Sequence, residues 1–166
     1  MQEDEDLWVQ VARGGTAAFE QVYSDNFARV RSFLRVYLGN TPAVDDVAQE
    51  TFLQFWQRPG SFDPDRSTLR TYLLGIARKR AADWWRRHRP TDEIERAVAI
   101  TACDTSTLLL SDALQQLDPE MRNILWLREV EGYGYDELAR ILAVPLGTVR
   151  SRLFTAREHL RRVWKA

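Results

Sequence analysis

YDELARILAVPLGTVRSRLFTAR, from Tyr135 to Arg157, reads as two short helices around a tight turn. In the first, Leu138, Ile141 and Leu142 supply an apolar face, and Ala139 is the small residue where two backbones approach. Val144 and Pro145 end that helix, because proline lacks an N–H donor and biases the residue before it toward extended conformations. Thr148 is the expected N-cap of the second helix. Val149 and Leu153, four apart, point back to the core, which leaves Arg150, Ser151, Arg152, Phe154 and Thr155 on the other faces. Such a unit is a helix-turn-helix, whose second helix is shaped for the DNA major groove. Arginine there can grip guanine O6 and N7 with two hydrogen bonds or hold a phosphate. An ordinary amphipathic pair with solvated arginines fits the same pattern.

The chain has 166 residues, 45% hydrophobic and 28% charged, which suits one domain or two small helical ones. Its formal charge of -1 hides an uneven distribution. Arg70 to Arg89 carries seven basic residues against Asp83, a net +6, and Arg150 to Ala166 six against Glu158, a net +5. Between them, Pro90 to Glu137 carries eleven acids and three bases, a net -8. Two basic islands separated by acid suggest two DNA contacts on one chain, with an intervening segment that avoids phosphates. A solvated helix face is the alternative for either island singly.

One cysteine, Cys103, rules out an internal disulfide framework and fits a reducing compartment. No apolar run approaches the ~18 residues of a membrane span. The acidic start MQEDEDLW lacks the basic and hydrophobic parts of a signal peptide, so a soluble, cytoplasmic chain is expected.

Helical periodicity dominates the rest, with glycine and proline mostly at junctions, so the expected fold is all-α. A first helix spans about Asp6 to Ala12 and gives way at Gly14 and Gly15. Thr16 can cap the next, which runs to about Leu38 with Phe19, Val22, Tyr23, Phe27, Val30, Phe33, Leu34 and Tyr37 as a core stripe. Thr41 and Pro42 fit a cap and first position for a third helix through about Gln57. A loop at Pro59, Gly60 and FDPDRS precedes a helix from about Thr68 to Arg87. The stretch from Pro90 to Thr107 is poor in large apolar residues and reads as a linker. Beyond it, Leu108 to Leu117 and Pro119 to Glu129 look like two helices, the second capped by Asp118, completing a four-helix C-terminal module with the helix-turn-helix. The expected division is 1–90, a linker at 91–107, and 108–166.

The helix from Thr68 carries Arg78, Lys79, Arg80, Arg86 and Arg87 beside Tyr72, Trp84 and Trp85. Cations interleaved with aromatics suit unpaired nucleic acid, where a base stacked on a ring is worth about 1–3 kcal/mol. Adjacent tryptophans lie roughly 100° apart on a helix, so one is expected to pack and the other to be available. Core packing is the competing role for each.

Three blocks, DVAQETFLQFW at Asp46 to Trp56, STLRTYLLGIARKRAADWWRR at Ser67 to Arg87, and LREVEGYGYDELARILAVPLGTVRSRLFTAREHLRR at Leu127 to Arg162, together resemble an extracytoplasmic-function (ECF) sigma factor. These are small two-domain promoter-specificity subunits of bacterial RNA polymerase. The resemblance implies that Asp46, Gln49, Glu50 and Phe52 bind core polymerase. It implies that Tyr72, Arg78, Lys79, Trp84, Arg86 and Arg87 meet the melted -10 strand, with a specificity loop at about Arg86 to Thr91. It implies that Thr148, Arg150, Ser151, Arg152, Phe154 and Arg157 meet the -35 duplex.

The chain departs from relatives in five places. Lys79 stands where many carry asparagine, Leu74 and Gly75 where tyrosine and arginine are common, Thr155 where a basic residue is frequent, and Gly134 where serine often caps. Implied partners are core RNA polymerase, promoter DNA and an anti-sigma factor. The linker would thread the polymerase near its active-site and RNA-exit channels, and the chain alone would bind promoter poorly, since specific initiation needs both modules held at fixed separation.

No cofactor and no catalysis are implied, since capturing unpaired bases uses binding energy alone. Asp45, Asp46 and Glu50 could suggest a metal or acid-base site, but no histidine or cysteine stands nearby and a solvated face explains them. His88 and His159 lack a nucleophile or carboxylate at a suggestive spacing. The main alternative is a free-standing helix-turn-helix regulator acting as a dimer, against which the DVAQETF block stands. A nucleic-acid enzyme and a sequestering protein are further alternatives.

Overall fold

A computed structural model describes residues 2–88, 114 and 116–165. The expected linker at 91–107 with Cys103, part of the expected specificity loop, and most of the expected helix from Leu108 to Leu117 lie outside them. Among the described residues there are seven α-helices and no strand: α1 (Gln2–Ala12), α2 (Thr16–Leu38), α3 (Ala43–Gln57), α4 (Leu69–Arg87), α5 (Pro119–Leu125), α6 (Tyr135–Leu142) and α7 (Leu146–Lys165).

Helix α1 starts earlier than its apolar pattern indicates, at Gln2. It is anchored by Trp8, whose indole Nε1 donates to Pro59 O at 2.7 Å and whose ring meets Phe62 edge-on at 5.6 Å. Gly15, not Thr16, occupies the N-cap of α2. The chain folds back there so tightly that a Cβ on Gly15 would lie 2.8 Å from Gln10 O, which excludes every other residue type without a backbone shift. Thr41 caps α3 from one position further out than expected, its Oγ1 accepting from Ala43 N at 3.4 Å while Pro42 takes the N-cap position. Thr68 caps α4, accepting from Thr71 N at 3.2 Å.

Helices α2, α3 and α4 pack around Val30, Phe33, Leu34, Val47, Phe52, Phe55, Leu69, Leu73 and Ala77, all buried. Three polar side chains enter this core without losing partners: Asn26 Nδ2 donates to Val22 O at 2.9 Å and Thr51 Oγ1 to Val47 O at 2.8 Å, each using the preceding turn, and Thr71 Oγ1 accepts from Thr68 Oγ1 at 2.9 Å.

The second group forms around Ile124, Leu127, Leu138, Ile141, Leu142, Val149, Leu153 and Ala156. Asp118 caps α5 by accepting from Glu120 N at 2.9 Å, with Pro119 in the first turn, as expected. The single helix expected to reach Glu129 instead widens into a π-turn over Trp126–Val130, and Trp126 lies against Phe33 of α2 at 6.4 Å between ring centroids.

Helix α6 begins with half of a capping box, Gly134 N donating to Glu137 Oε2 at 2.9 Å. It ends at Leu142, earlier than Val144 and Pro145 suggested, because Ala143 turns left-handed with φ 52 and ψ 45. Val144 N then bonds Ala139 O at 3.1 Å and Ala143 N bonds Arg140 O at 3.2 Å, the paired bonds of a Schellman motif. Thr148 is therefore no N-cap: α7 starts at Leu146, and Thr148 N already donates to Pro145 O at 2.9 Å. An L-residue in this conformation costs about 1–2 kcal/mol, and glycine recovers most of it less its own entropic cost. Ala143→Gly is expected to stabilise the chain by about 1 kcal/mol, read as a raised thermal midpoint; a lowered midpoint would mean that the Ala143 methyl packs favourably.

Candidate nucleic-acid and partner interface

On α7, apolar residues at a helical period fix which face looks outward. Val149, Leu153 and Ala156 are buried, so Arg150, Ser151, Phe154 and Thr155 share the exposed side. Phe154 is 66% exposed, a large aromatic presented to solvent beside a cation. Ser151 Oγ donates back to Thr148 O at 3.0 Å. Thr148 is half-buried in the first turn. The other two arginines of the expected -35 set are held by acids. Arg157 donates to Glu129 Oε1 from Nη2 at 2.6 Å and from Nε at 3.1 Å, which raises its already high pKa. Arg152 Nη1 lies 3.5 Å from Glu120 Oε2.

On α4, Leu69, Leu73, Ile76, Ala77 and Ala81 turn inward and leave the basic residues to the rim. Lys79, Arg86 and Arg87 are exposed. Arg86 pairs with Asp83, and Arg87 Nε donates to Asp83 O at 3.2 Å. Tyr72 is half-buried between Phe62 and Phe55, at 5.3 and 6.4 Å, and burial pushes its phenol pKa up. Trp84 and Trp85 are 6.3 Å apart, and both pack half-buried against the core, so neither is left wholly free as the 100° spacing suggested. Trp84 also stacks on His88 at 4.5 Å and 14°. Arg78 reaches across to Glu120 Oε1 at 3.1 Å.

Asp46, Gln49 and Glu50 are exposed on one side of α3, spaced three and four apart. Asp45 is already engaged, its carboxyl held below the usual range by a hydrogen bond from Arg31 Nε at 2.5 Å. Glu50 sits 3.8 Å from Arg80, whose Nε also donates to Gln54 at 2.8 Å. Phe52 does not join this face. It is a core residue, 1% exposed and packed against Tyr23 at 4.8 Å and Phe27 at 6.2 Å between ring centroids. Leu53 extends the exposed face instead, at 53% exposure. Its position seven residues after Asp46 and four after Gln49 is the signal that sequence reading passed over.

The two helical groups meet along a stripe of α2 made of Arg29, Phe33, Val36 and Tyr37. Arg29 pairs with Glu131 at 2.5 Å, and Tyr37 Oη donates to Glu120 at 2.8 Å. Arg122 Nη1 donates to Val36 O at 3.2 Å, satisfying a carbonyl of the last turn of α2 from outside that helix. Beside this seam, a cleft of about 450 Å³ between α4 and α6 is lined by Arg66, Tyr72, Gly75, Arg78, Lys79 and Arg140, among others. Among the described residues, no cluster of three or more His, Cys, Asp or Glu is arranged to hold a metal ion, and no helix is long and apolar enough to cross a membrane.

An outward basic helix-turn-helix, a basic aromatic helix and an acidic face thus occur in one order along one chain. Two segments of the chain are matched in known families. Residues 22–91 match Sigma-70 region 2, and residues 107–160 match Sigma-70, region 4. The chain is 31% identical to RNA polymerase sigma factor CarQ of Myxococcus xanthus, over 89% of this chain and 90% of that one. It is 30% identical to the ECF RNA polymerase sigma-E factor of Escherichia coli, over 93% and 91%.

The chain belongs to the ECF RNA polymerase sigma factors.

RNA polymerase sigma-H factor of Pseudomonas aeruginosa is a further relative, 29% identical over 95% of this chain and 91% of that one. Among solved structures, CnrH in complex with the cytosolic domain of CnrY superimposes with a TM-score of 0.75 at 26% identity, covering 98% of this sigma factor and 97% of that chain. The sigma factor RpoE in complex with the anti-sigma factor NepR, from Bartonella quintana, shares the fold with a TM-score of 0.70 at 23% identity, covering 89% and 97%. Region 2 of this sigma factor thus begins within α2 and includes α3 and α4, and region 4 includes α5 and α6 and ends within α7. A free-standing regulator is not favoured, because such a protein has no use for region 2.

Proposed function

We propose that this sigma factor docks on core RNA polymerase and directs it to promoters bearing a -35 element read by α7 and a -10 element opened at α4. Residues 1–90 form the polymerase-binding and -10 module, 91–107 the linker and 108–166 the -35 module. On α3, Asp46, Gln49, Glu50 and Leu53 make the docking face, with Phe52 holding it in place from beneath. On α7, Arg150, Ser151 and Phe154 enter the major groove, while Arg152, Arg157 and the first-turn Thr148 serve once their present partners are released. On α4, Lys79, Arg86 and Arg87 follow the phosphates of the melted strand, and Tyr72, Trp84 and Arg78 line its path.

The observation that carries this reading is the outward face of α7, where exposed Arg150 and Phe154 stand on a helix whose other side is locked into a helix-turn-helix core. The chain catalyses nothing itself: strand opening draws on binding energy, with base capture worth about 1–3 kcal/mol per stacked base. It acts in the cytoplasm, where polymerase and DNA are. An anti-sigma protein is the proposed restraining partner, a reading supported by the related CnrH having been caught with the cytosolic domain of a second protein. In run-off transcription, purified chain plus core polymerase is expected to yield transcripts from a cognate promoter that neither component yields alone; failure of the chain to co-purify with core polymerase would refute the proposal.

A further inference from the structure

Helix α1 lies ahead of both matched segments, since the Sigma-70 region 2 match begins at residue 22. It is nevertheless tied to the loop that leads from α3 into the basic aromatic helix α4. That loop, RPGSFDPDRS from Arg58 to Ser67, is polar apart from Phe62 and its prolines. It opens with a single 3₁₀ turn, Pro59–Ser61, closed by Phe62 N donating to Pro59 O at 3.2 Å. One such turn is weak alone, because its hydrogen-bond geometry is poor. Trp8 of α1 reinforces it from outside. The indole Nε1 brings Pro59 O a second donor at 2.7 Å, and the ring meets Phe62 edge-on at 5.6 Å between centroids. Phe62 is buried and lies 5.3 Å from the ring of Tyr72.

We propose that Trp8 is a positioning residue for capture of the -10 strand, acting through Pro59 and Phe62 to hold the Tyr72 ring where an unpaired base stacks on it. This role rests on the strand path given above, in which Tyr72 meets the melted strand. Tyr72 needs such support because it stands near the start of α4 between two unequal neighbours, Phe55 at 6.4 Å and Phe62. Phe55 is fixed in the core of α3, whereas Phe62 is only as well placed as its turn. Ser61 of that turn, Tyr72 and Lys79 line one cleft, so a displaced turn alters the surface offered to a base.

Two features let this link be loosened without unseating α1. Val11 is buried and anchors the helix, while Trp8 packs half-buried against the margin of the core, so loss of its N–H alone leaves α1 in place. Gly15 sets how closely α1 folds back: its N donates to Gln10 O at 2.9 Å, and an added Cβ would lie 2.8 Å from that oxygen. Gly15→Ala therefore displaces α1 with the indole intact.

The test uses holoenzyme reconstituted from the full chain and core polymerase, and measures its affinity for a cognate promoter fork, duplex through the -35 element and unpaired over the -10 element. Tyr72→Ala is expected to weaken binding by about 5- to 150-fold, the equivalent of one base stacked on a ring. Trp8→Phe, which keeps an aromatic ring and removes the donor, is expected to weaken it by about 2- to 12-fold, the range of one hydrogen bond, and Gly15→Ala to a similar degree. Gln10→Ala, an exposed neutral change on α1, is expected to leave it unchanged. Affinity for core polymerase should not move in any of them, and circular dichroism checks that each remains folded. In a Tyr72→Ala background Trp8→Phe is expected to add nothing, because residues acting through one contact are not additive. An additive loss in the double variant makes Trp8 a general stabiliser and overturns the positioning role. So does unchanged binding by folded Trp8→Phe or Gly15→Ala beside a weakened Tyr72→Ala. Unchanged binding by Tyr72→Ala overturns the strand path itself, and the role of Trp8 with it.

Discussion

Phe52→Ala is expected to lower the unfolding free energy by about 3–5 kcal/mol, the range for deleting a fully buried aromatic from a packed core. The side chain is 1% exposed and touches Tyr23 and Phe27, so the loss combines transfer of apolar surface to water with a cavity between α2 and α3. Urea unfolding measures it. The same substitution is expected to weaken polymerase docking, but only by loosening the helix that presents Asp46, Gln49 and Glu50. Gln49→Ala and Glu50→Ala separate the two effects: as exposed residues they should change stability by no more than about 0.5 kcal/mol while reducing co-purification with core polymerase. A Phe52→Ala chain with wild-type unfolding and lost docking would instead make Phe52 a contact residue that swings outward to meet its partner.

Arg150→Ala is expected to reduce -35-dependent initiation by about 5- to 150-fold, the equivalent of the 1–3 kcal/mol carried by one bidentate arginine–guanine contact. Stability should hold, because Arg150 is exposed on α7 and alanine is a good helix former. Transcription from promoters mutated base by base in the -35 element locates the contact: if Arg150 reads a guanine, the variant loses discrimination at that position alone. A uniform loss across all -35 sequences, with a shallower salt dependence, would reassign it to a phosphate. Arg157→Ala should be milder, since Glu129 already competes for that guanidinium.

Much of this molecule was legible in local pattern. The apolar residues of α6 and α7 recur at helical spacing, and burial of Leu138, Ile141, Val149 and Leu153 follows from that spacing alone. Asp118 and Pro119 announced the start of α5, and Thr68 that of α4. Turn details were less legible. Pro145 marks a helix end without saying how it is made, and the left-handed residue that makes it is Ala143, a type with no preference for that conformation. The π-turn at Trp126–Val130 carries no local signature, because it answers to the packing of Trp126 on α2.

What the chain's order of residues determined by itself is the all-helical fold, the two basic islands, and an outward face on α7 bearing Arg150, Ser151 and Phe154, since each depends on neighbours within a few turns of one helix. Tertiary structure alone decided that Arg78, Arg152 and Arg157 are occupied, whereas the Asp83 contacts of Arg86 and Arg87 are local to α4. Arg78 and Arg152 read as equally solvated in sequence, and Glu120 as one more acid in a helix's first turn; they meet because packing of α2 and α4 against α5 and α7 brings residues 42 and 32 positions from Glu120 to the same carboxylate. Burial of Phe52 and exposure of Leu53 were decided in the same way: the two are adjacent in sequence, and only the direction from which Tyr23 and Phe27 of α2 approach selects the one that enters the core.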